Sequence, residues 1–386
     1  MLRVAVDLTS QLDPLTGVGI VVRETVARLA SRDDMALTAF AVTWRGRGRM
    51  HEVVPPGVAV VDRPMAARPL HELWRRADHP LVDRWIGRHD VVWGPNYVVP
   101  PTRAAGLVSV HDLTPVHFPE MANEFTLTYP ALIRRALRRG AWVHTGSEFV
   151  RGEIIEHFGA DPDRVVAIHH GVRAAPAGDP ARGRAVAGGD RYVLALGTIE
   201  PRKDLPTLVR AFDLLAEDDG DVRLVIAGAD GWGAEALTAA VAASPHRDRV
   251  VRPGRIDEAT RAGLLAGATV YAYPSVYEGF GLPPIEAMSA GVPVVTTRAG
   301  SLPEVCGDGA DLVEVGDPVG LAAALARVIG DEDHRRSLVV RGHAVAAGYD
   351  WEVATDAVAG LLRRVAEDAR RPGSRAHRRT TYDDRP

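Results

Sequence analysis

At 386 residues the chain is too long for one ordinary hydrophobic core and suits two domains of roughly 150–200 residues each. Its 46% hydrophobic and 25% charged content can fill two such cores, and a single cysteine, Cys306, excludes an internal disulfide and any four-cysteine zinc site. The net charge of −4 divides into 20 Arg against 19 acids over residues 1–172, 20 Lys+Arg against 29 acids over 173–369, and 6 Arg against 2 Asp over 370–386, which excludes a nucleic-acid partner.

Through the first half, short β-rich runs alternate with helical patterns, the signature of βαβ units on a parallel sheet. Leu2–Asp7 predicts a strand, and Gly19–Ser31 a helix with Val22, Val26 and Leu29 at helical spacing. Leu37–Val42, Val91–Trp93, Val108–Val110, Trp142–His144 and Val165–Ile168 predict further strands, with helices over Thr128–Arg139 and Phe149–Phe158. Residues 173–190 then lose periodicity, and their Ala- and Gly-rich composition reads as a linker.

A second series follows. Strands are predicted over Tyr192–Leu196, Val222–Ala227, Arg249–Arg252, Val270–Pro274 and Pro293–Thr297. Helices are predicted over Leu205–Ala216, Glu235–Ala243, Glu258–Leu265, Pro283–Ala290 and Leu321–Ile329. Trp351–Ala369 reads as a last amphipathic helix and Arg370–Pro386 as a disordered tail. No run approaches ~18 apolar residues and the start lacks a signal-peptide core, so the expectation is a soluble cytoplasmic protein. Ligands of such doubly wound halves sit beyond the carboxyl ends of the strands.

Thr16-Gly17-Val18-Gly19 opens the first helix, where glycines let backbone N–H groups approach an anion; the bland alternative is a tight turn. It is not a dinucleotide fingerprint, because no third Gly follows at the required spacing. Of 46 cationic residues, 45 are Arg, so Lys203 stands out. Arg202 and Lys203 in Gly197-Thr-Ile-Glu-Pro-Arg-Lys-Asp204 can neutralise a diphosphate, or form a solvated loop pair. In Tyr277-Glu-Gly-Phe-Gly-Leu-Pro-Pro-Ile-Glu286, Pro283 and Pro284 suit a helix's first turn. Glu278 then lies in an exposed Gly-Phe-Gly loop and Glu286 in the first turn or so. Complementing the helix dipole explains Glu286 alone, not the pair.

These segments resemble the retaining GT-B glycosyltransferases of family 4. Glu278-x7-Glu286 is similar to their signature. Gly17-Val-Gly19, His111-Asp-Leu, Thr145-Gly-Ser-Glu, His170-Gly-Val, Glu200-Pro-Arg-Lys, Ala290-Gly-Val-Pro-Val-Val and Gly300-Ser-Leu-Pro-Glu304 agree in order. The likeness covers roughly residues 2–345, and Gly197–Lys203 with His111-Asp-Leu-Thr-Pro resembles the mannosyltransferase-like branch.

The resemblance implies an α/β fold of two doubly wound Rossmann-like domains facing across a cleft. It divides the chain into an acceptor-side domain over 1–172, the linker over 173–190 and a nucleotide-sugar donor domain over 191–345. A helix over 346–369 returns to the N-terminal domain, with the tail over 370–386. It implies that Arg202 and Lys203 hold the donor diphosphate, with Gly17 and Gly19 approaching the same phosphates. Glu286 would take the ribose hydroxyls, Ile256 would border the base, and Glu278 with the backbone of Gly279, Phe280, Gly281 and Leu282 the sugar. His111 would sit at the sugar and acceptor side, a role only the resemblance gives it, since on its own a His at a strand end is more often a structural hydrogen-bonder. Thr198 departs from the pattern, since many relatives carry Arg there. The expected activity is metal-independent, retaining transfer of a hexose, mannose from GDP-mannose, to a hydroxyl of a glycan or glycolipid, with no cofactor beyond the donor. A sugar-nucleotide epimerase and a non-catalytic sugar-nucleotide sensor are the alternatives. The Asp-x-Asp pairs at Asp161 and Asp331 read as caps. Arg134, Arg135, Arg138 and Arg139 read as a solvated face or as peripheral contact with anionic lipid at the inner membrane face.

Overall fold

The computed structural model describes residues 1–12, 16–173 and 177–371. They form two units: Met1–Gly171 with the chain from Asp350 onward, and Val172–Tyr349.

Unit 1 carries seven parallel strands: β1 Leu2–Asp7, β2 Met35–Phe40, β3 Ala59–Val61, β4 Val91–Gly94, β5 Ala105–Val110, β6 Trp142–Thr145 and β7 Val165–Ala167. Their order is β3-β2-β1-β4-β5-β6-β7, with Val4 facing Leu37 on one side and Val91 on the other. Both faces are covered, which is why these strands read as unbroken apolar runs. One face packs Phe40, Val92, Val108, Ile133 and Ile154. The other packs Val6, Leu37 and Trp93 against the helix Trp351–Arg370 through Val358, Leu361, Leu362 and Val365. Arg28–Glu352 (3.0 Å) and Arg363–Asp34 (2.6 Å) also tie this helix down. Such surface pairs contribute about 0–1 kcal/mol each, whereas each buried Leu or Val contributes roughly 1.5–3 kcal/mol, so burial of the apolar stripe fixes the helix. The C-terminal helix therefore returns to the N-terminal unit as expected.

Unit 2 carries β8 Tyr192–Leu196, β9 Arg223–Ala227, β10 Val250–Gly254, β11 Val270–Tyr273, β12 Val294–Thr297 and β13 Ala310–Val313. They lie parallel in the order β10-β9-β8-β11-β12-β13. Strand order reverses between β1 and β4 in unit 1, and between β8 and β11 in unit 2. The carboxyl ends at those two points are where doubly wound sheets bind ligands.

Several elements depart from expectation. The linker expected over 173–190 contains the helix Pro180–Ala187, capped by Asp179, whose carboxylate accepts from the Ala181 N–H. It packs against the helix Glu258–Gly267 at backbone contact, since a Cβ on Gly183 would stand 2.2 Å from the Gly263 carbonyl oxygen. The small residues that resemble a linker are a packing surface. Strand β3 is three residues long at a sheet edge, and β13 is four; neither carries enough pattern to be predicted. The helices Ala67–Arg76 and Glu332–Ala347 were likewise not anticipated. Of the tail expected over 370–386, Arg370 closes the last helix and residues 372–386 lie outside the described residues. Cys306 is buried in the core of unit 2, where burial pushes its thiol up to about 12, an inert group.

Candidate active site

In unit 2 the chain leaves β8 at Gly197 with φ +126°, and a Cβ there would lie 2.3 Å from the Lys203 Nζ. The ammonium fills the space a side chain would need. Lys203 is 8% exposed and donates to the Thr198 carbonyl at 2.9 Å. Burial pulls its pKa below the usual lysine value, against the fields of Glu200 and Glu278. Asp204, at φ 42°, ends the turn Pro201–Lys203 and caps the helix Leu205–Asp218 by accepting from the Thr207 N–H.

Arg202 was expected to hold a diphosphate beside Lys203. In the structure its guanidinium pairs with the Glu278 carboxylate, sits 3.4 Å from Glu200 and donates to the Tyr277 carbonyl at 2.9 Å. The Tyr273 and Ser275 hydroxyls donate to the same Oε1 of Glu278, at 2.6 and 3.0 Å. Burial, then the Glu278 charge, pushes the Tyr273 phenol far above its ordinary pKa, so it stays a donor. Two hydroxyl donors and the Arg202 ion pair thus orient Glu278 by Oε1, and among the described residues no hydrogen-bond donor meets Oε2.

Glu286 sits in the second turn of the helix Leu282–Ser289, beyond the dipole's first turn, so dipole complementation does not account for it. Arg261 donates to its Oε2 at 2.5 Å. Burial raises the Glu286 pKa, and Arg261 opposes that rise. The buried Tyr271 phenol lies in the fields of both Glu286 and Glu278, so the two carboxylates border one neighbourhood.

The loop Gly279–Gly281, expected to be exposed, is buried. The Phe280 ring packs edge-on against Tyr349 at 5.6 Å, while Leu282 and Ile256 lie half-buried against the same core. Hydrophobic burial outweighs exposure of an aromatic here, and what this loop can offer a ligand is backbone. Gly281, at φ 91°, starts the helix that follows.

In unit 1, the Gly19 N–H is taken by the Thr16 hydroxyl at 3.3 Å, which caps the helix Gly17–Ala30. One of the two donors expected to approach a phosphate is therefore committed to the helix. His111 follows β5, and its Nε2 lies 2.8 Å from the Pro95 carbonyl. A carbonyl only accepts, so Nε2 carries the proton and Nδ1 is the acceptor. Burial lowers the His111 pKa and keeps the ring neutral. Its ring stands 6.0 Å from His170, which stands 6.0 Å from His144, whose Nδ1 bonds the Ser109 hydroxyl at 2.9 Å. Asp112 accepts from the Thr114 N–H rather than joining His111 in a dyad.

Sequence reasoning missed Arg261, Tyr273 and Ser275 as partners of the two glutamates, and did not bring the rings of His170 and His144 near His111. Arg261 lies 25 residues before Glu286, a separation no local pattern marks. The strand alternation Tyr271-x-Tyr273 was the available signal. Among the described residues no group of three His, Cys, Asp or Glu is arranged to hold a metal ion, and no helix is long and apolar enough to cross a membrane.

Two Rossmann-like units, the second with a buried lysine and two oriented glutamates at its switch point, define a glycosyltransferase of the GT-B type. The chain belongs to the group 1, family 4 glycosyltransferases. Residues 181–344 match the family described as "Glycosyl transferases group 1" and residues 15–175 that described as "Glycosyltransferase Family 4". It is 31% identical to O-antigen chain mannosyltransferase B of Escherichia coli over 72% of this chain and 76% of that protein. It is 33% identical to a D-inositol 3-phosphate glycosyltransferase of Streptomyces scabiei over 58% of this chain and 54% of that protein. The fold matches that of Anabaena HepE in complex with UDP and glucose, with TM-score 0.72 and 17% identity, over 94% of this chain and 100% of that one.

Proposed function

We propose that the protein transfers mannose from GDP-mannose to a hydroxyl of a glycan or glycolipid, with retention at the anomeric carbon and without a metal. The observation that carries the reading is the set of Lys203, Arg202, Glu278 and Glu286 at one strand-order reversal. The mannosyl assignment is supported by the likeness to the E. coli mannosyltransferase. In this reading the bond between the anomeric carbon and the phosphate oxygen breaks as the acceptor oxygen bonds that carbon on the same face. The acceptor's proton passes to the departing phosphate. Leaving-group charge is the obstacle, and a fixed cation in a dry site stabilises it most, which is the role of Lys203. Arg202 orients Glu278 toward the sugar, Glu286 holds the ribose and Ile256 borders the base. Within unit 2 the backbone of residues 281–282 lends amide dipoles; within unit 1 the helix start at Gly17 offers backbone N–H groups to an anion, and His111 accepts a hydroxyl hydrogen through Nδ1. Calorimetry tests the donor: GDP is expected to bind more tightly than UDP, with transfer unchanged in EDTA. UDP tighter by tenfold, about 1.4 kcal/mol, overturns the mannosyl reading. Turnover lost in EDTA and restored by a divalent ion overturns the metal-independent one.

We further propose that the acceptor side makes peripheral contact with anionic lipid at the inner face of the membrane. Arg135 and Arg139 are tied to Asp78 at 2.7 and 3.4 Å, which narrows the basic face to Arg134 and Arg138. Exposed Leu73 lies on the neighbouring helix Ala67–Arg76, and exposed Phe125 and Leu127 at and within the neighbouring turn Thr126–Thr128. Pelleting with phosphatidylglycerol vesicles is expected at low salt and should fall as salt rises. Charge reversal at Arg134 and Arg138 should abolish it; no pelleting at low salt returns the helix to a solvated face.

A further inference from the structure

Asp7 is the last residue of β1, at the strand-order reversal of unit 1. It is 9% exposed, and a carboxylate is rarely buried so far without a cation. Among the described residues no arginine or lysine meets it. Its Oδ1 accepts from the Thr9 backbone N–H at 2.9 Å and from the Thr9 hydroxyl at 2.5 Å. Thr9 is itself fixed, because its hydroxyl accepts from the Val42 N–H at 2.8 Å, beyond the end of β2. No donor among the described residues meets Oδ2. The construction repeats that of Glu278 and Glu286: one oxygen held by the protein, the other without a donor among the described residues.

The surroundings define what the other oxygen can take. Tyr129 lies in the fields of Asp112 and Asp7 together, so a second carboxylate shares the neighbourhood. Tyr129 stacks on Tyr97 at 4.5 Å, and the Tyr97 hydroxyl lies 3.0 Å from the Asp112 N–H, which donates to it. Tyr97 also stands edge-on to His111 at 5.5 Å. The end of this sheet thus joins two carboxylates, two phenols and a neutral imidazole. With no cation on Asp7 among the described residues, burial pushes its carboxyl up to about 6, still ionised at neutral pH. Such a lining accepts hydrogens from hydroxyls and repels a phosphate.

We infer that Asp7 binds the acceptor through Oδ2, taking a hydroxyl of a neutral sugar rather than of a phosphorylated one. This rests on the glycosyltransferase reading of unit 1 as the acceptor side, but not on the identity of the donor. The test is ligand-observed NMR without nucleotide, with methyl α-D-mannopyranoside and mannose 6-phosphate as probes. Wild type is expected to bind the methyl glycoside at least tenfold more tightly than the phosphate. Asp7→Asn should lose at least tenfold in methyl glycoside affinity while GDP binding, measured by calorimetry on unit 2's site, stays within twofold. An Asp7→Asn variant with unchanged sugar affinity overturns the inference. So does a wild type that binds neither probe or prefers the phosphate, a comparison that needs no variant. Failure of the GDP-mannose reading shows separately, as GDP binding no tighter than UDP.

Discussion

Lys203→Ala is expected to weaken GDP by about 10- to 150-fold while leaving guanosine affinity unchanged, because a charge-assisted contact contributes roughly 1.5–3 kcal/mol. The ammonium is 8% exposed and fixed by the Thr198 carbonyl, so solvent screens little of that contribution. Lys203→Arg should not restore it. Nζ already occupies the place of a side chain at Gly197, where even a methyl group would stand 2.3 Å away. A planar fork on a longer stem has no room there. The same geometry predicts that Gly197→Ala mimics the loss, by displacing the ammonium and by straining a backbone at φ +126°. Calorimetry with GDP and guanosine decides the matter: equal losses for both ligands, or full rescue by Arg, would show Lys203 to be structural. On the proposed reading, that lack of room for Arg is why one lysine persists in a chain that uses Arg for its other 45 cations.

Strand and helix order was legible because buried parallel strands are continuous apolar runs and their helices keep a 3.6 period, as in Val4–Val6 and Val22–Leu29. The helix Pro180–Ala187 was not, because its packing depends on absent side chains; Gly183 meets Gly263 backbone to backbone, and no apolar stripe records that. Site residues divide along a similar line. Lys203, Glu278 and Glu286 were visible as charge types beside glycines and prolines. What each charge is bonded to was hidden. Arg202 looks in sequence like a second phosphate cation, yet the fold brings it to Glu278, 76 positions away. Phe280 between two glycines looks exposed, but turning its ring inward buries it against Tyr349. Local pattern reports propensity and charge, whereas partners separated by tens of residues are settled only by the sheet that gathers them.

The two glutamates should separate by kinetic signature. Glu286 is held by Arg261 on a helix, a fixed position suited to ribose hydroxyls in the ground state. Glu278 is oriented by Arg202, Tyr273 and Ser275 through Oε1, and in the proposed reaction its Oε2 faces the sugar carbon that gains positive charge. Interactions strengthened only in the transition state appear in kcat, and uniform binding appears in affinity. Glu286→Gln is therefore expected to weaken GDP by about 10- to 150-fold, equivalent to roughly 1.5–3 kcal/mol for a lost charged hydrogen bond. Arg261→Ala should weaken GDP in the same direction, because the carboxylate loses its anchor. Glu278→Gln should leave GDP nearly unchanged and lower kcat, and here the ion pair sharpens the expectation. Gln keeps an acceptor for Tyr273 and Ser275 but removes the charge facing Arg202, so that guanidinium gains freedom to meet phosphate and GDP affinity should hold or rise. Measuring GDP affinity and kcat in all three variants discriminates the roles. A large GDP defect in Glu278→Gln, or none in Glu286→Gln, would show the assignments to be reversed.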